Sequence, residues 1–130
     1  MFDAVLKVTL RIGFLFQVQD DYLDCFGEPE ATGKVGTDIQ DAKCTWLIVQ
    51  ALRKVSEPQR KILEQNCGVK SNNAANRVKE VYSELKLEQR FKEFEREAYQ
   101  QSANLIKEMP LGLPKNTFFD ILDTIYRRKK

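Results

Sequence analysis

Histidine does not occur among the 130 residues, and the three cysteines, Cys25, Cys44 and Cys67, form no CxxC pair. Histidine-based acid–base catalysis, Ser-His or Cys-His nucleophiles and the usual zinc ligand sets are therefore excluded, as far as this chain supplies them. An odd, scattered cysteine count fits a reducing compartment rather than a disulfide framework. Charge of one sign is lacking too: 21 Lys and Arg face 19 Asp and Glu, a formal charge of +2, and nothing in that balance points to nucleic acid. No apolar run approaches the ~18–20 residues of a spanning helix. The opening Met1-Phe2-Asp3-Ala4-Val5-Leu6-Lys7 lacks the basic start of a secretory signal, and Lys7 and Arg11 interrupt what would be its apolar core. The expectation is a soluble, cytoplasmic chain with no membrane partner, and its length predicts one domain over 1–130.

What is present is a local concentration of acid. Gln17-Val18-Gln19-Asp20-Asp21-Tyr22-Leu23-Asp24 ends an otherwise apolar run. On a helix turning about 100° per residue, Gln17, Asp20, Asp21 and Asp24 fall within an arc of roughly 100°. Carboxylates so close repel one another and, if partly buried, raise one another's pKa or recruit a counter-charge. A hard cation held by carboxylate oxygens is the simplest solution. Mg2+, which keeps several waters and shares ligands with phosphates, suits so sparse a donor set.

Helical punctuation runs through the whole chain, and no strand pattern or repeat appears. Residues 2–26 read as one helix, apolar on several faces and therefore expected to be surrounded by others, with Gly27 and Pro29 as its stop. The Gly- and Pro-containing stretch from Gly27 to Asp41 reads as a loop long enough to suggest function. In it Lys34 stands between Gly33 and Gly36, where small neighbours let an ammonium approach a bulky anion, although the spacing is not that of a GxxxxGK phosphate loop. By itself such a lysine is as readily a solvated one. Asp41 is expected to cap a helix from about Ala42 to Lys54, placing Lys43 in a first turn where only an anion or full exposure would suit it. Ser56 and Gln59 form a capping-box pattern for a helix from about Glu57 to Cys67. Further helices are expected from the turn at Lys70–Asn73 to about Lys86, from about Glu88 to Glu108, and from about Asn116 to Arg128. The chain closes on Tyr126-Arg127-Arg128-Lys129-Lys130, either a solubilising tail or a basic flap for an anionic ligand.

The ordered set Phe16-Gln17-Val18-Gln19-Asp20-Asp21-Tyr22-Leu23-Asp24, Phe26-Gly27-Glu28-Pro29, Thr32-Gly33-Lys34-Val35-Gly36-Thr37-Asp38-Ile39 and Lys43-Cys44-Thr45-Trp46-Leu47 closely resembles the farnesyl diphosphate synthases of eukaryotic type, in the trans-isoprenyl diphosphate synthase family. The likeness runs from about Gly13 to the basic C-terminus. It implies an all-α fold, a partial isoprenoid-synthase helical bundle of about six helices. In that family two aspartate-rich motifs face each other and hold Mg2+ on an allylic diphosphate. Asp20, Asp21 and Asp24 match the second motif and are the implied metal ligands. Lys34, with a catalytic share, and Lys43 match lysines beside the allylic diphosphate. Phe16 and Gln17 match residues beside the substrate chains, and Arg128 a basic residue that closes toward isopentenyl diphosphate.

The implied activity is Mg2+-dependent head-to-tail condensation of isopentenyl diphosphate with dimethylallyl or geranyl diphosphate to farnesyl diphosphate, by an enzyme that is a homodimer when complete. The stretch Met1 to Ile12 fits the family poorly, and the first aspartate-rich motif is not in these residues. The chain is thus expected to be the C-terminal portion of a larger prenyltransferase fold, inactive alone. The alternative is a non-catalytic helical module that binds metal–diphosphate or pairs with a full-length synthase. A third reading is that the chain by itself is poorly folded, since the faces of helix 2–26 would need the missing helices to cover them.

Overall fold

A computed structural model describes residues 2–28 and 35–128 of the chain. Among these residues there are six helices and no strand: α1 (Phe2–Phe26), α2 (Trp46–Leu52), α3 (Glu57–Asn66), α4 (Asn72–Glu84), α5 (Leu87–Lys107) and α6 (Lys115–Tyr126). None is long and apolar enough to cross a membrane. The residues sort into two compact units, one formed by residues 2–19 with 92–128 and the other by residues 20–91.

In the first unit α1 turns Val8, Ile12 and Leu15 inward, spaced four and three apart, onto Ala103 and Ile106 of α5, Met109 in the connection that follows, and Leu122 of α6. That spacing is the signature of one buried helical stripe. The row Phe2, Leu6, Leu10 and Phe14, each four residues from the last, is 76%, 42%, 63% and 56% exposed. A helix expected to be covered on several faces is therefore covered on one within this unit. Gln19, 1% exposed, ties the helices by polar bonds: its Nε2 donates to Glu95 Oε2 at 2.8 Å and to the Ile125 carbonyl at 2.9 Å. Tyr99 donates its hydroxyl proton to Asp123 Oδ1 at 2.6 Å.

The second unit packs Cys25, Leu47, Ala51, Leu63, Val78, Val81, Tyr82 and Leu87 into one core. Tyr22 stacks on Phe91, ring centroids 3.9 Å apart and planes 6° from parallel, and Trp46 meets the same Phe91 edge-on. The predicted capping box is present: Ser56 Oγ accepts the Gln59 N–H, and Gln59 Oε1 accepts the Ser56 N–H, with Pro58 in the first turn. Beyond α3, Gly68 takes the left-handed conformation at φ +79°, as a helix stop often requires.

One boundary departs from expectation. Asp41 does not cap a helix at Ala42; Ala42 itself adopts φ +55°, which no α-helix accommodates, and Thr45 caps α2 instead by accepting the Ile48 N–H. Asp41 is spent on Thr37 and Lys70, at 2.9 and 2.6 Å. Residues 38–42 thus form a tight turn, which leaves Lys43 just ahead of the helix rather than in it.

Two outcomes are expected. Ser56→Ala should cost about 1 kcal/mol in urea denaturation, and adding Gln59→Ala should cost less than a second full increment, because the two residues share one box. Burial raises the Glu95 pKa above the ordinary 4.5, against the hydrogen bond from Gln19 and the charge of Lys92. The folded chain therefore holds that proton more tightly than the unfolded one, and this group adds stability as pH falls from the raised value toward 4.5. Glu95→Gln should abolish that increment when denaturation midpoints are compared between pH 7 and 4.5.

Candidate functional site

Asp20, Asp21 and Asp24 lie in the last turns of α1, at the start of the second unit. Asp20 is exposed, Asp24 half-buried, and Asp21 only 5% exposed. Both oxygens of Asp21 are engaged: Oδ2 accepts the Trp46 backbone N–H at 2.8 Å, and Oδ1 lies 3.3 Å from Lys43 Nζ. Trp46 is the first residue of α2, so the carboxylate stands where unsatisfied N–H groups and the positive end of the helix dipole favour an anion.

Lys43 also faces a second carboxylate, Asp38 Oδ2, at 3.6 Å. Asp38 in turn donates its backbone N–H to Asp24 Oδ2 at 2.9 Å. Next to it, Gly36 approaches Asp24 so closely that a Cβ would overlap the Asp24 carbonyl oxygen. Residues 36–46 are thereby laid along the acidic end of α1 by two backbone N–H groups, one ammonium and one side-chain-free contact. The sequence predicted that Lys43 would need an anion or exposure. It has two anions and keeps 42% of its side chain exposed.

The charges answer one another. Burial raises the Asp38 pKa; Asp24 and Asp21 add to the rise and Lys43 opposes it. Burial works against the Lys43 ammonium, but Asp38 and Asp21 together more than offset it and hold its pKa above the ordinary lysine value. Asp21, Asp38 and Lys43 also border a cavity of about 250 Å3 whose other walls include Leu47, Ile48, Leu52 and Tyr82, and all three cysteines line it. Burial pushes the Cys25 thiol up to about 12, which makes it a core group rather than a nucleophile.

Among the described residues no three His, Cys, Asp or Glu side chains are grouped to hold a metal ion by themselves. Mg2+ asks for less: one or two carboxylates, with waters and phosphates completing its shell. The donors here are all hard oxygens. Asp38 Oδ2 is buried with no hydrogen-bond partner, and the ammonium of Lys43 already sits beside it, so the place accepts positive charge. The residues fit such an ion.

In the first unit two further expected site residues come together. Arg128 Nη2 donates to the Phe16 carbonyl at 3.0 Å, and its guanidinium lies 3.9 Å from the centroid of the Phe16 ring, a cation–π contact. Gln17 is exposed on the same helix. Lys34, Lys129 and Lys130 lie outside the described residues.

The polyprenyl synthetase family profile matches residues 1–85. The chain belongs to that family. This polyprenyl synthetase chain is 47% identical over 125 residues to the farnesyl pyrophosphate synthase of Rattus norvegicus, covering 96% of this chain and 35% of that protein. It is 44% identical over 126 residues to the Zea mays enzyme of the same name, covering 97% of this chain and 36% of that protein. Among solved structures, T. brucei farnesyl diphosphate synthase complexed with risedronate superposes with a TM-score of 0.89 at 36% identity, over 100% of this chain and 37% of that one. The same synthase complexed with the bisphosphonate BPH-1326 gives 0.94 at 35% identity, over 100% of this chain and 45% of that one. The fold is thus that of the all-helical isoprenoid synthases, and the polyprenyl synthetase chain spans about a third of its curated relatives' length.

Sequence reasoning did not find Trp46 N–H or Gly36 as parts of the acidic site. Gly36 left a signal, a glycine two residues before Asp38; a backbone donor leaves none. Gly36→Ala should destabilise the polyprenyl synthetase chain by about 1–3 kcal/mol in urea denaturation and shift the emission of its single tryptophan, Trp46.

Proposed function

We propose that this chain supplies the diphosphate-binding wall of an Mg2+-dependent prenyltransferase that joins isopentenyl diphosphate to dimethylallyl or geranyl diphosphate, head to tail, to give farnesyl diphosphate. The observation that carries this reading is the acidic arc of α1 closed by Lys43 and Asp38.

In this reading the arc of Asp20, Asp21 and Asp24 forms the acidic wall of the metal site, with Asp20 and Asp24 toward the metal, Asp21 behind them and Asp38 contributing a further oxygen. When bound, Mg2+ supplies positive charge to the departing diphosphate. Lys34 and Lys43 add ammonium charge to the same leaving group, Lys34 with a direct part in its departure on the strength of its place in the sequence. Departure of diphosphate leaves an allylic cation, which the isopentenyl double bond attacks before a proton is lost. Phe16 and Gln17 flank the hydrocarbon chains, and Arg128 serves isopentenyl diphosphate. Such chemistry asks for charge on a leaving group and shelter for a cation, not for a nucleophile, so a chain without histidine can perform its share. The complete enzyme is read as a cytoplasmic homodimer.

A second reading is favoured by the exposed row Phe2, Leu6, Leu10 and Phe14 and by the 35% share of the rat relative that is matched. In it the 130 residues act as a non-catalytic module that binds metal–diphosphate or pairs with a full-length synthase.

The 130-residue chain is expected to yield no farnesyl product from isopentenyl and geranyl diphosphates with Mg2+, yet to bind inorganic pyrophosphate by calorimetry only when Mg2+ is present. Asp20→Ala and Asp24→Ala should each weaken that binding about tenfold or more. Undiminished heat in both variants would reduce the arc to a solvated face and remove the reading.

A further inference from the structure

Of the three aspartates in the arc, Asp21 is the most buried, and both of its oxygens are held from within the chain. It is 5% exposed, its Oδ2 holds the N–H that opens α2, and its Oδ1 holds Lys43. A buried carboxylate keeps its charge only when donors and a counter-charge surround it, and Asp21 has both from within the chain. Each carboxylate oxygen keeps a second lone pair, but at 5% exposure an incoming metal ion would reach Oδ1 only against the Lys43 ammonium 3.3 Å away, and Oδ2 only by sharing it with the Trp46 N–H.

We propose that Asp21 is a positioning residue rather than a metal ligand: it pins the start of α2 and holds the Lys43 ammonium against Asp38, and it serves the diphosphate wall through Lys43. The pin is a property of the metal-free chain. The second half of the inference, the service to the wall, rests on the function proposed above. On this view the aspartate pair divides its labour by burial: exposed Asp20 faces the ligand, and buried Asp21 faces the fold. Lys43 acts as a resident cation whose charge is balanced before any ion arrives.

Trp46 is the only tryptophan and its own N–H is the one Asp21 accepts, so its emission reports on the pin with no ligand present. In the metal-free chain Asp21→Val, which removes acceptor and charge together, should lower the melting temperature by about 5–10 °C and red-shift Trp46 emission. Asp21→Asn keeps an oxygen for the Trp46 N–H and should keep the emission and most of the melting temperature. Wild-type melting and emission in Asp21→Val would overturn the proposal. If Asp21→Val does not fold, that result agrees with the pin and the remaining arm decides between positioning and ligation.

That arm uses Mn2+ alone, followed by loss of the free-ion paramagnetic resonance signal. Asp21→Asn leaves Lys43 under-compensated beside the arc and should weaken Mn2+ binding about tenfold. Asp21→Asn with Lys43→Met removes one charge of each sign and should return affinity to within about threefold of wild type. A double variant as weak as the single would make Asp21 a ligand and overturn the proposal. If the wild-type chain binds no Mn2+, the proposed metal wall falls, and the metal-free melting and emission still decide whether Asp21 is the pin.

Discussion

The second unit depends on how one buried carboxylate is kept charged. Asp21 could not sit at 5% exposure without donors on both oxygens, and its donors come from 22 and 25 residues along the chain, Lys43 and Trp46. Meeting that requirement draws the 36–46 segment onto α1, sets where α2 begins, and places Asp38 beside Asp24. Gly36 is part of the same constraint, because the segment comes too close to the Asp24 backbone for any side chain. The segment's path, the helix start and the charge cluster are one solution to one electrostatic problem.

The cluster that results gathers charge of both signs at the acidic end of α1. It holds four carboxylates and one ammonium, and its neighbour is a cavity lined mostly by apolar side chains. Charge gathered at the edge of an apolar space acts more strongly than the same charge in water. Under the function proposed above, that combination is what would let a chain without histidine take its share of the reaction, by placing charge on a leaving group.

The first unit is organised differently. Its core is an ordinary helical stripe, and its polar anchor, Gln19, satisfies Glu95 and the α6 carbonyl of Ile125 at once. Arg128, at the far end of the chain, folds onto Phe16 with both its plane and an N–H. The apolar row at Phe2, Leu6, Leu10 and Phe14 remains exposed, consistent with a chain that spans 35% of the length of its rat relative.

Most of the fold was legible because helices write local punctuation: the 3.6-residue stripes of α4 and α5, the Ser56–Gln59 box and the glycine after α3 depend on neighbours a few residues away. The acidic arc was legible for the same reason, since Asp20, Asp21 and Asp24 share a face by helical spacing alone. The start of α2 was not, because Asp41 and Thr45 are both good caps, and the choice between them rests on the left-handed turn at Ala42 and on the hold of Asp21 on the Trp46 N–H. Nor could local spacing assign the partners of the arc. That Asp21 is held by Lys43 and Trp46, and Asp24 by Asp38, is decided by chain segments 14 to 25 residues away, and which carboxylate is buried depends on the packing of the whole unit. The sequence determined that three carboxylates would share a helix face and need positive charge; the tertiary structure decided which of them spends its charge on the fold, because burial is a property of packing and not of spacing.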